Sequence, residues 1–150
     1  MLLKKIIATG FCLSALFTVI ALACPPISFG DLTLTGHRWI RPSKGPNTAA
    51  YLTITNRGSK PDKLIKVECD FADTVELHNN IEETGIMKMR PVSAIDIGKD
   101  SVELKPGGLH IMLMGLKESF QGKEKIPLTL VFDKAGRVTV NFSVKEPKKP

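Results

Sequence analysis

The chain has 150 residues, a length that predicts a single domain, and its hydrophobic fraction of 43% is ordinary for a globular protein. The formal net charge is +6, but part of this excess lies in Lys4, Lys5 and the tail 145–150, so the body is mildly basic. Without a concentrated basic patch, and with 6% aromatic residues, the composition argues against a protein that reads nucleic acid. It also excludes collagen-like, coiled-coil and multi-span membrane proteins.

The N-terminal residues 1–23 have the pattern of an export signal. The two lysines precede an uncharged stretch, 6–23, and the small residues Ala21 and Ala23 form a cleavage pattern of the A-x-A type. An uncleaved anchor is the competing interpretation, because the stretch is almost long enough to cross a bilayer. We expect the signal to be removed and the domain to work outside the cytoplasm, in the periplasm.

Two processing routes fit the residues that follow this stretch. Cleavage before Cys24 would make that cysteine the first mature residue and a possible site of a lipid anchor, as in bacterial lipoproteins. Cleavage after Gly30, with Ser28 as the other small residue, would instead release a soluble protein that begins at Asp31. The export signal therefore covers 1–23 or 1–30, and the sequence leaves both routes open.

After the signal, the sequence consists of short runs in which apolar and polar residues alternate, separated by Gly, Pro and Asn. A period of two is typical of half-buried strands, and no run has the pattern of a helix. Seven or more such strands predict an all-β Greek-key β-sandwich over 31–144, followed by the basic tail 145–150. The alternating apolar positions expected in the core include Leu32, Leu34, Ala50, Leu52, Ile54, Val75, Leu77, Val102, Leu104, Leu109, Ile111, Leu113, Ile126, Leu128, Leu130, Phe132, Val138, Val140, Phe142 and Val144.

Cysteine use agrees with an exported domain that contains no disulfide. Cys12 leaves with the signal and Cys24 is either lipidated or removed, so Cys69 is the only thiol expected in the folded domain. It ends an alternating run that includes Leu64 and Ile65, and we expect it to be a small buried hydrophobic residue. A domain of about 120 residues is large enough to be held together by its hydrophobic core.

Histidine and methionine occupy the polar side of this alternation. In the run that ends at Met114, the apolar residues face the core, which directs His110, Met112 and Met114 together to the outer face. Methionine is unusual on an outer face, because its thioether normally fills gaps in the core. The candidate donors on outer faces are His78, Met87, Met89, His110, Met112 and Met114.

Imidazole and thioether together form a soft donor set. Thioethers favour Cu(I), whereas Zn(II) prefers thiolate, imidazole or carboxylate, and calcium or magnesium requires oxygen ligands. The set also suits an oxidising compartment, because thiolates there are lost to disulfides whereas a thioether cannot form one. The sequence therefore predicts a copper site built from Met and His.

The candidate donors lie in one region, 75–115, with the sequence VELHNNIEETGIMKMRPVSAIDIGKDSVELKPGGLHIMLMG. This region resembles the PCu(A)C (PCuAC) copper chaperones of the bacterial periplasm. The family signature is a His, ten residues, a Met, about twenty-one residues and then His-x-Met, and this chain has ten and twenty residues at those places. The residues that match the signature are His78, Met89, His110 and Met112.

The resemblance covers the whole mature domain, including Trp39 and the segments 49–58 (AAYLTITNRG) and 127–132 (PLTLVF). The chain departs from the family pattern at two places. The second spacing is one residue shorter than usual, and Asn79 stands where many members carry a methionine directly after the first histidine. The second change removes a possible auxiliary ligand but none of the expected ones.

The resemblance implies a cupredoxin-like sandwich that binds Cu(I) through the signature residues and catalyses no reaction. Met87 and Met114 would be possible auxiliary residues, and Cu(II) binding is left open. The implied partners are the copper-receiving subunit of cytochrome c oxidase, whose dinuclear CuA centre would receive the metal, and other copper-delivery proteins.

Other functions fit the sequence less well. A blue-copper electron carrier needs a Cys followed within a few residues by His and Met, but the first His after Cys69 is His78, nine residues on. Gly-x-Ser-x-Gly and HExxH motifs of hydrolases do not occur. The alternative is an exported adhesion or assembly module whose sandwich binds a protein partner without metal.

Overall fold

The structure, a computed structural model, describes residues 25–42, 45–120 and 122–144. The stretch 1–23 and the tail 145–150 lie outside these residues, so their roles as signal and tail stay predictions. The described ranges contain eleven strands and no helix, and so no helix able to span a membrane. The strands are β1 (Ile27–Phe29), β2 (Leu32–Ile40), β3 (Asn47–Asn56), β4 (Asp62–Glu68), β5 (Ala72–Glu83), β6 (Ile86–Val92), β7 (Ile95–Ile97), β8 (Ser101–Leu104), β9 (His110–Leu116), β10 (Lys125–Phe132) and β11 (Gly136–Val144).

These strands form one hydrogen-bonded path in the order β6-β5-β9-β3-β2-β11-β10-β4-β7, with β1 beside β2 and β8 beside β3. The described pairs are antiparallel except β11 and β2, which run parallel. The path folds back on itself, since β4 contacts β5 and β7 contacts β3 without pairing. The predicted all-β sandwich is confirmed.

The core lies between the two layers and follows the predicted alternation. In β10, Ile126, Leu128 and Leu130 are buried while the residues between them are more exposed. They belong to the same buried cluster as Ile111 and Leu113 of β9. Full burial of each such side chain contributes about 1.5–3 kcal/mol, and none of the predicted copper ligands belongs to this cluster, so we expect the domain to fold without metal.

Ile65 is an exception to the predicted alternation. It is 42% exposed, whereas Leu64 is buried. The pairing of β4 with β10 shifts register at this point, since Val131 pairs with Lys66 but Phe132 pairs with Leu64. Ile65 is the extra residue of this β-bulge and is turned away from the core.

A short strand also precedes residue 31, where the predicted sandwich domain begins. Ile27 to Phe29 form β1, and the Phe29 ring lies 6.3 Å from the Phe132 ring. The carbonyl oxygen of Pro25 accepts a hydrogen bond of 3.2 Å from Nη2 of the buried Arg38. The segment that precedes residue 31 is therefore part of the sandwich.

Candidate metal centre

The candidate site lies on the outer face of β5, which is placed between β6 and β9. Directly paired residues of neighbouring strands project on the same face of a sheet. His78 of β5 is paired with His110 of β9, and their ring centroids are 5.6 Å apart. On the opposite face, Leu77 and Ile111 are paired and buried in the core. The fold therefore brings the two predicted histidines side by side.

Met112 and Met89 flank this histidine pair on the same face. Met112 is paired with Glu76 of β5, and Met89 of β6 is paired with Asn80 of β5. We call each set of positions paired across these strands a row. Because Glu76, His78 and Asn80 alternate along β5, the Met112 row lies on one side of the histidine row and the Met89 row on the other. Each is about 7 Å away along the strand direction.

Two tight turns fix these registers. The β5–β6 hairpin is closed by Thr84 and Gly85, both with positive φ (53° and 79°), the geometry of a type I′ turn. Before β9, Gly107 adopts a φ of 82° in the predicted Pro-Gly turn, which places Gly108 beside the first residue of the strand, His110.

The four predicted ligands differ in their exposure to solvent. Met89 lies on the edge strand and is 57% exposed, and Met112 is half-buried. His110 projects from the predicted outer face, but it is only 3% exposed and is not a surface residue. Its ring lies 6.4 Å from that of Tyr51, which in turn packs against Trp39 at 4.4 Å. These aromatic residues of β2 and β3 line one side of the site.

Each imidazole has one nitrogen fixed by a hydrogen bond. Nδ1 of His110 donates to the carbonyl oxygen of Gly108 at 2.9 Å, which leaves the lone pair of the neutral ring on Nε2. Nε2 of His78 lies 2.8 Å from Oε2 of Glu76. Nδ1 of His78 is buried and has no hydrogen-bond partner among the described residues.

This arrangement fits a soft cation. A buried polar atom without a partner costs about 1–3 kcal/mol, a penalty that a bound cation would remove. The described residues include no group of three His, Cys, Asp or Glu able to hold a metal. The thioethers of Met89 and Met112 flank the histidine pair, and thioethers are donors that favour Cu(I).

Glu76 is a site residue that the sequence pattern did not single out. It precedes His78 by two residues and so projects from the same face of β5. The alternation that selected the histidine was therefore sufficient to find the glutamate as well.

Met87 and Met114, the predicted auxiliary residues, continue the same face in opposite directions. Met87 is 58% exposed and is paired with Glu82, while Met114 is half-buried and is paired with Thr74. Five successive rows along β5 therefore contain a sulfur or imidazole donor.

Cys69 has the structural role that the sequence predicted. It is partly buried and packs against the hydrophobic core. Burial raises the pKa of its thiol, which keeps the sulfur protonated at neutral pH. The thiol would have to lose this proton before it could bind a metal, which disfavours Cys69 as a ligand.

Comparison with known proteins identifies the family. Residues 33–144 match the family described as "Putative lipoprotein LpqE-like". The copper-bound PCuAC domain from PmoF2 is 27% identical and superposes with a TM-score of 0.68, covering 82% of this chain and 99% of that domain. The chain belongs to the PCuAC family.

This PCuAC protein is also similar to one further solved structure and to two curated proteins. Cu(I)-bound DR1885 from Deinococcus radiodurans is 28% identical, with a TM-score of 0.58 over 83% of this chain and 81% of that one. "Uncharacterized protein RP573" of Rickettsia prowazekii is 31% identical over 71% of this chain. "Putative lipoprotein Lxx21020" of Leifsonia xyli is also 31% identical, over 72% of it. The matches span 62% and 66% of the lengths of these two relatives.

Proposed function

We propose that this protein is a copper chaperone that binds one Cu(I) ion through His78, Met89, His110 and Met112. It would deliver the ion for assembly of the CuA centre of cytochrome c oxidase. The observation that carries the proposal is the pairing of His78 with His110 between two rows that contain thioethers. In each ring one nitrogen forms a hydrogen bond, and the other nitrogen has a lone pair that could bind a metal. Copper in the PmoF2 domain and Cu(I) in DR1885, at 27% and 28% identity, support it.

The donor chemistry explains the choice of oxidation state. Two imidazoles and two thioethers are neutral, so they suit a soft monovalent ion and give little to a harder divalent ion such as Zn(II). The imidazole pair alone still suits Cu(II). Replacing Met89 or Met112 by alanine would therefore weaken Cu(I) binding more than any Cu(II) binding.

Delivery would proceed by ligand exchange at the exposed side of the site. Met89 lies on the edge strand, where a donor from the copper-receiving subunit can approach and displace its thioether. Met87, one row nearer the hairpin turn, would be an auxiliary donor on this side, and Met114 on the other. Only metal–ligand bonds change in this exchange, so the proposed role includes no catalysed reaction.

We infer that the protein is processed before Cys24 and anchored in the periplasm by a lipid on that residue. Cleavage after Gly30 would remove β1, including the contact of Phe29 with Phe132. The family and one relative are described as lipoproteins, which supports the first route. Mass spectrometry of the mature protein would show an acylated Cys24, and Cys24→Ser would release it from membranes. An unmodified protein that begins at Asp31 would contradict this inference.

Competitive titration of Cu(I) against a chromophoric chelator tests the site. Alanine variants of His78, Met89, His110 and Met112 are expected to bind more weakly than wild type, and Zn(II) in excess is expected not to displace the ion. Ile86→Ala is a matched control for Met89→Ala, because Ile86 lies on the same strand and is 59% exposed but has no donor atom. If all four variants bind like wild type, or Zn(II) competes equally, the proposal is wrong.

The alternative, a module that binds a protein partner without metal, is favoured by one observation. Met87 and Met89 are exposed apolar residues on one face of the edge strand, a feature common at interaction surfaces. This alternative predicts no Cu(I) binding by wild-type protein, so the same titration separates the two functions.

A further inference from the structure

We propose that Glu76 is a positioning residue for the metal. By accepting the Nε2–H of His78, its carboxylate fixes the histidine tautomer in which Nδ1 has the free lone pair, and this nitrogen is the one that binds Cu(I). The inference rests on the proposed function and adds to it the nitrogen used and the residue that selects it.

The hydrogen bond determines where the proton of His78 lies. Nε2 of His78 is 2.8 Å from Oε2 of Glu76. An ionised carboxylate accepts hydrogen bonds and cannot donate them, so Nε2 must carry the proton. In a neutral imidazole the other nitrogen, Nδ1, is then the acceptor and the only one able to bind a metal.

The surroundings of Nδ1 favour the same tautomer. This atom is buried and has no hydrogen-bond partner in the described ranges. A proton on Nδ1 would be a buried donor without an acceptor, an arrangement that folded proteins rarely tolerate. The lone pair on Nδ1 is therefore retained and is not used by any hydrogen bond within the described ranges.

The second histidine is oriented by a different device. Nδ1 of His110 donates to the backbone carbonyl of Gly108, so His110 would bind through Nε2. Histidines that bind metals commonly donate their other N–H to a carboxylate or to a backbone carbonyl, and the two rings here show one case each. The two histidines are thus set in opposite tautomers, and of the two hydrogen-bond acceptors only Glu76 is a side chain that mutation can remove.

Glu76 itself gains little from the contact. Its side chain is 42% exposed, whereas that of His78 is 13% exposed. An exposed carboxylate is solvated without a partner, so the main consequence of the hydrogen bond falls on the histidine. A direct bond from its hard oxygen to Cu(I) is disfavoured, because this ion prefers softer donors.

The test compares Glu76→Ala and Glu76→Gln with Glu82→Ala. Glu82 projects from the same face of β5 but is paired with Met87, four positions beyond the histidine row. Proton positions on the rings are read from long-range ¹H–¹⁵N correlations of the labelled copper-free protein, and Cu(I) affinity from chelator competition. Circular dichroism confirms that each variant is folded.

In wild type we expect His78 to carry its proton on Nε2. Glu76→Ala should bring protonation of Nδ1 and a 10–100-fold loss of Cu(I) affinity, about the range typical of such outer partners. Glu76→Gln keeps an oxygen that accepts the Nε2 proton, so it should keep the tautomer and lose less than about tenfold. Glu82→Ala should resemble wild type in both measurements.

Three results would overturn the proposal: a wild-type proton on Nδ1, an Ala variant that keeps both tautomer and affinity, or a Gln variant as impaired as the Ala variant. The last would show that the charge of Glu76, and not its acceptor oxygen, matters. Because the tautomer is measured without copper, a correct tautomer in a wild-type protein that binds no Cu(I) would refute the proposed function instead.

Discussion

Asp62 and His78 both have buried polar atoms, but these atoms differ in how many hydrogen-bond partners the chain provides. Asp62 is 6% exposed, and its carboxylate accepts hydrogen bonds from the backbone N–H groups of Lys63 at 2.7 Å and of Lys134 and Ala135 at 2.9 Å. Nδ1 of His78 has no partner in the part of the chain that the structure describes. The Asp62 carboxylate thus has its partners within the chain, whereas Nδ1 of His78 keeps an unused lone pair, which the proposed copper site would use.

The Asp62 carboxylate connects the start of β4 to the turn between β10 and β11. Burial by itself raises the pKa of the Asp62 carboxyl. The hydrogen bonds from the backbone of Lys134, Lys63 and Ala135 outweigh this effect and hold the pKa below its ordinary value. The charged form is therefore the one that the fold stabilises.

The largest expected effect on stability is that of Asp62→Ala. Three backbone N–H groups lose their acceptor, so we expect the free energy of unfolding to fall by about 3 kcal/mol, with no change in Cu(I) affinity. Urea denaturation and chelator competition measure the two quantities. Asp96→Ala is the control, because Asp96 forms only an exposed ion pair with Lys63 at 3.0 Å, and such pairs contribute little to stability. Equal losses of stability in Asp62→Ala and Asp96→Ala would show that the buried hydrogen bonds of Asp62 have no special role in the fold.

The opposite pattern is expected for His78→Leu. Leucine removes the buried nitrogen that has no partner, so stability should change by less than about 1 kcal/mol or rise. Cu(I) affinity should fall by more than about 100-fold, beyond the range typical of residues that only orient a ligand. A large loss of stability in the copper-free protein would show that His78 serves the fold after all.

Lowering the pH should also reveal the contribution of Asp62 to stability, with a smaller effect than the substitutions above. Because the pKa of Asp62 is lower in the folded state, its contribution to stability is present above the unfolded pKa of about 3.9 and is lost as pH falls through the folded value. Wild type should therefore lose more stability than Asp62→Asn as pH falls below about 5. Parallel curves of unfolding free energy against pH for the two proteins would rule this out.

The fold was predictable from the sequence wherever one face of a strand is buried. Alternation placed Leu128 and Leu130 in the core because their neighbours on β10 are solvated. Alternation gave the wrong face for Ile65, because this residue lies in a β-bulge. A bulge depends on the register with the partner strand, and a local sequence pattern carries no information about that register. Alternation also missed β1, whose residues lie within the second candidate cleavage region.

The candidate site was predictable in residue type and face, but not in its pairing. The direct pairing of His78 with His110 joins two strands far apart in sequence, so it is determined by tertiary structure. The burial of His110 beside Tyr51 has the same origin, because Tyr51 comes from a third strand. Which nitrogen of each ring carries the proton depends on single hydrogen bonds, which the sequence does not specify.

The smallest effect is expected for the outer methionines, and it tests how far the ligand site extends. Met87 and Met114 each lie two rows from the histidine pair, about 13 Å along the strand, a distance that a methionine side chain cannot bridge. Met87→Leu and Met114→Leu conserve volume, so they should lower Cu(I) affinity by less than tenfold, the lower limit typical of outer partners.

Met89→Leu and Met112→Leu are the matched variants, since the same substitution one row closer removes a proposed ligand and should cost more than tenfold. Stopped-flow transfer to a chelator adds a second measurement. Met87 is 58% exposed and borders the exchange side, so Met87→Leu should slow the release of Cu(I), whereas Met114→Leu should not. If Met87→Leu weakens equilibrium binding as much as Met89→Leu does, the site extends further towards the hairpin turn than the rows indicate. The boundary between ligand and auxiliary residue would then lie beyond Met87.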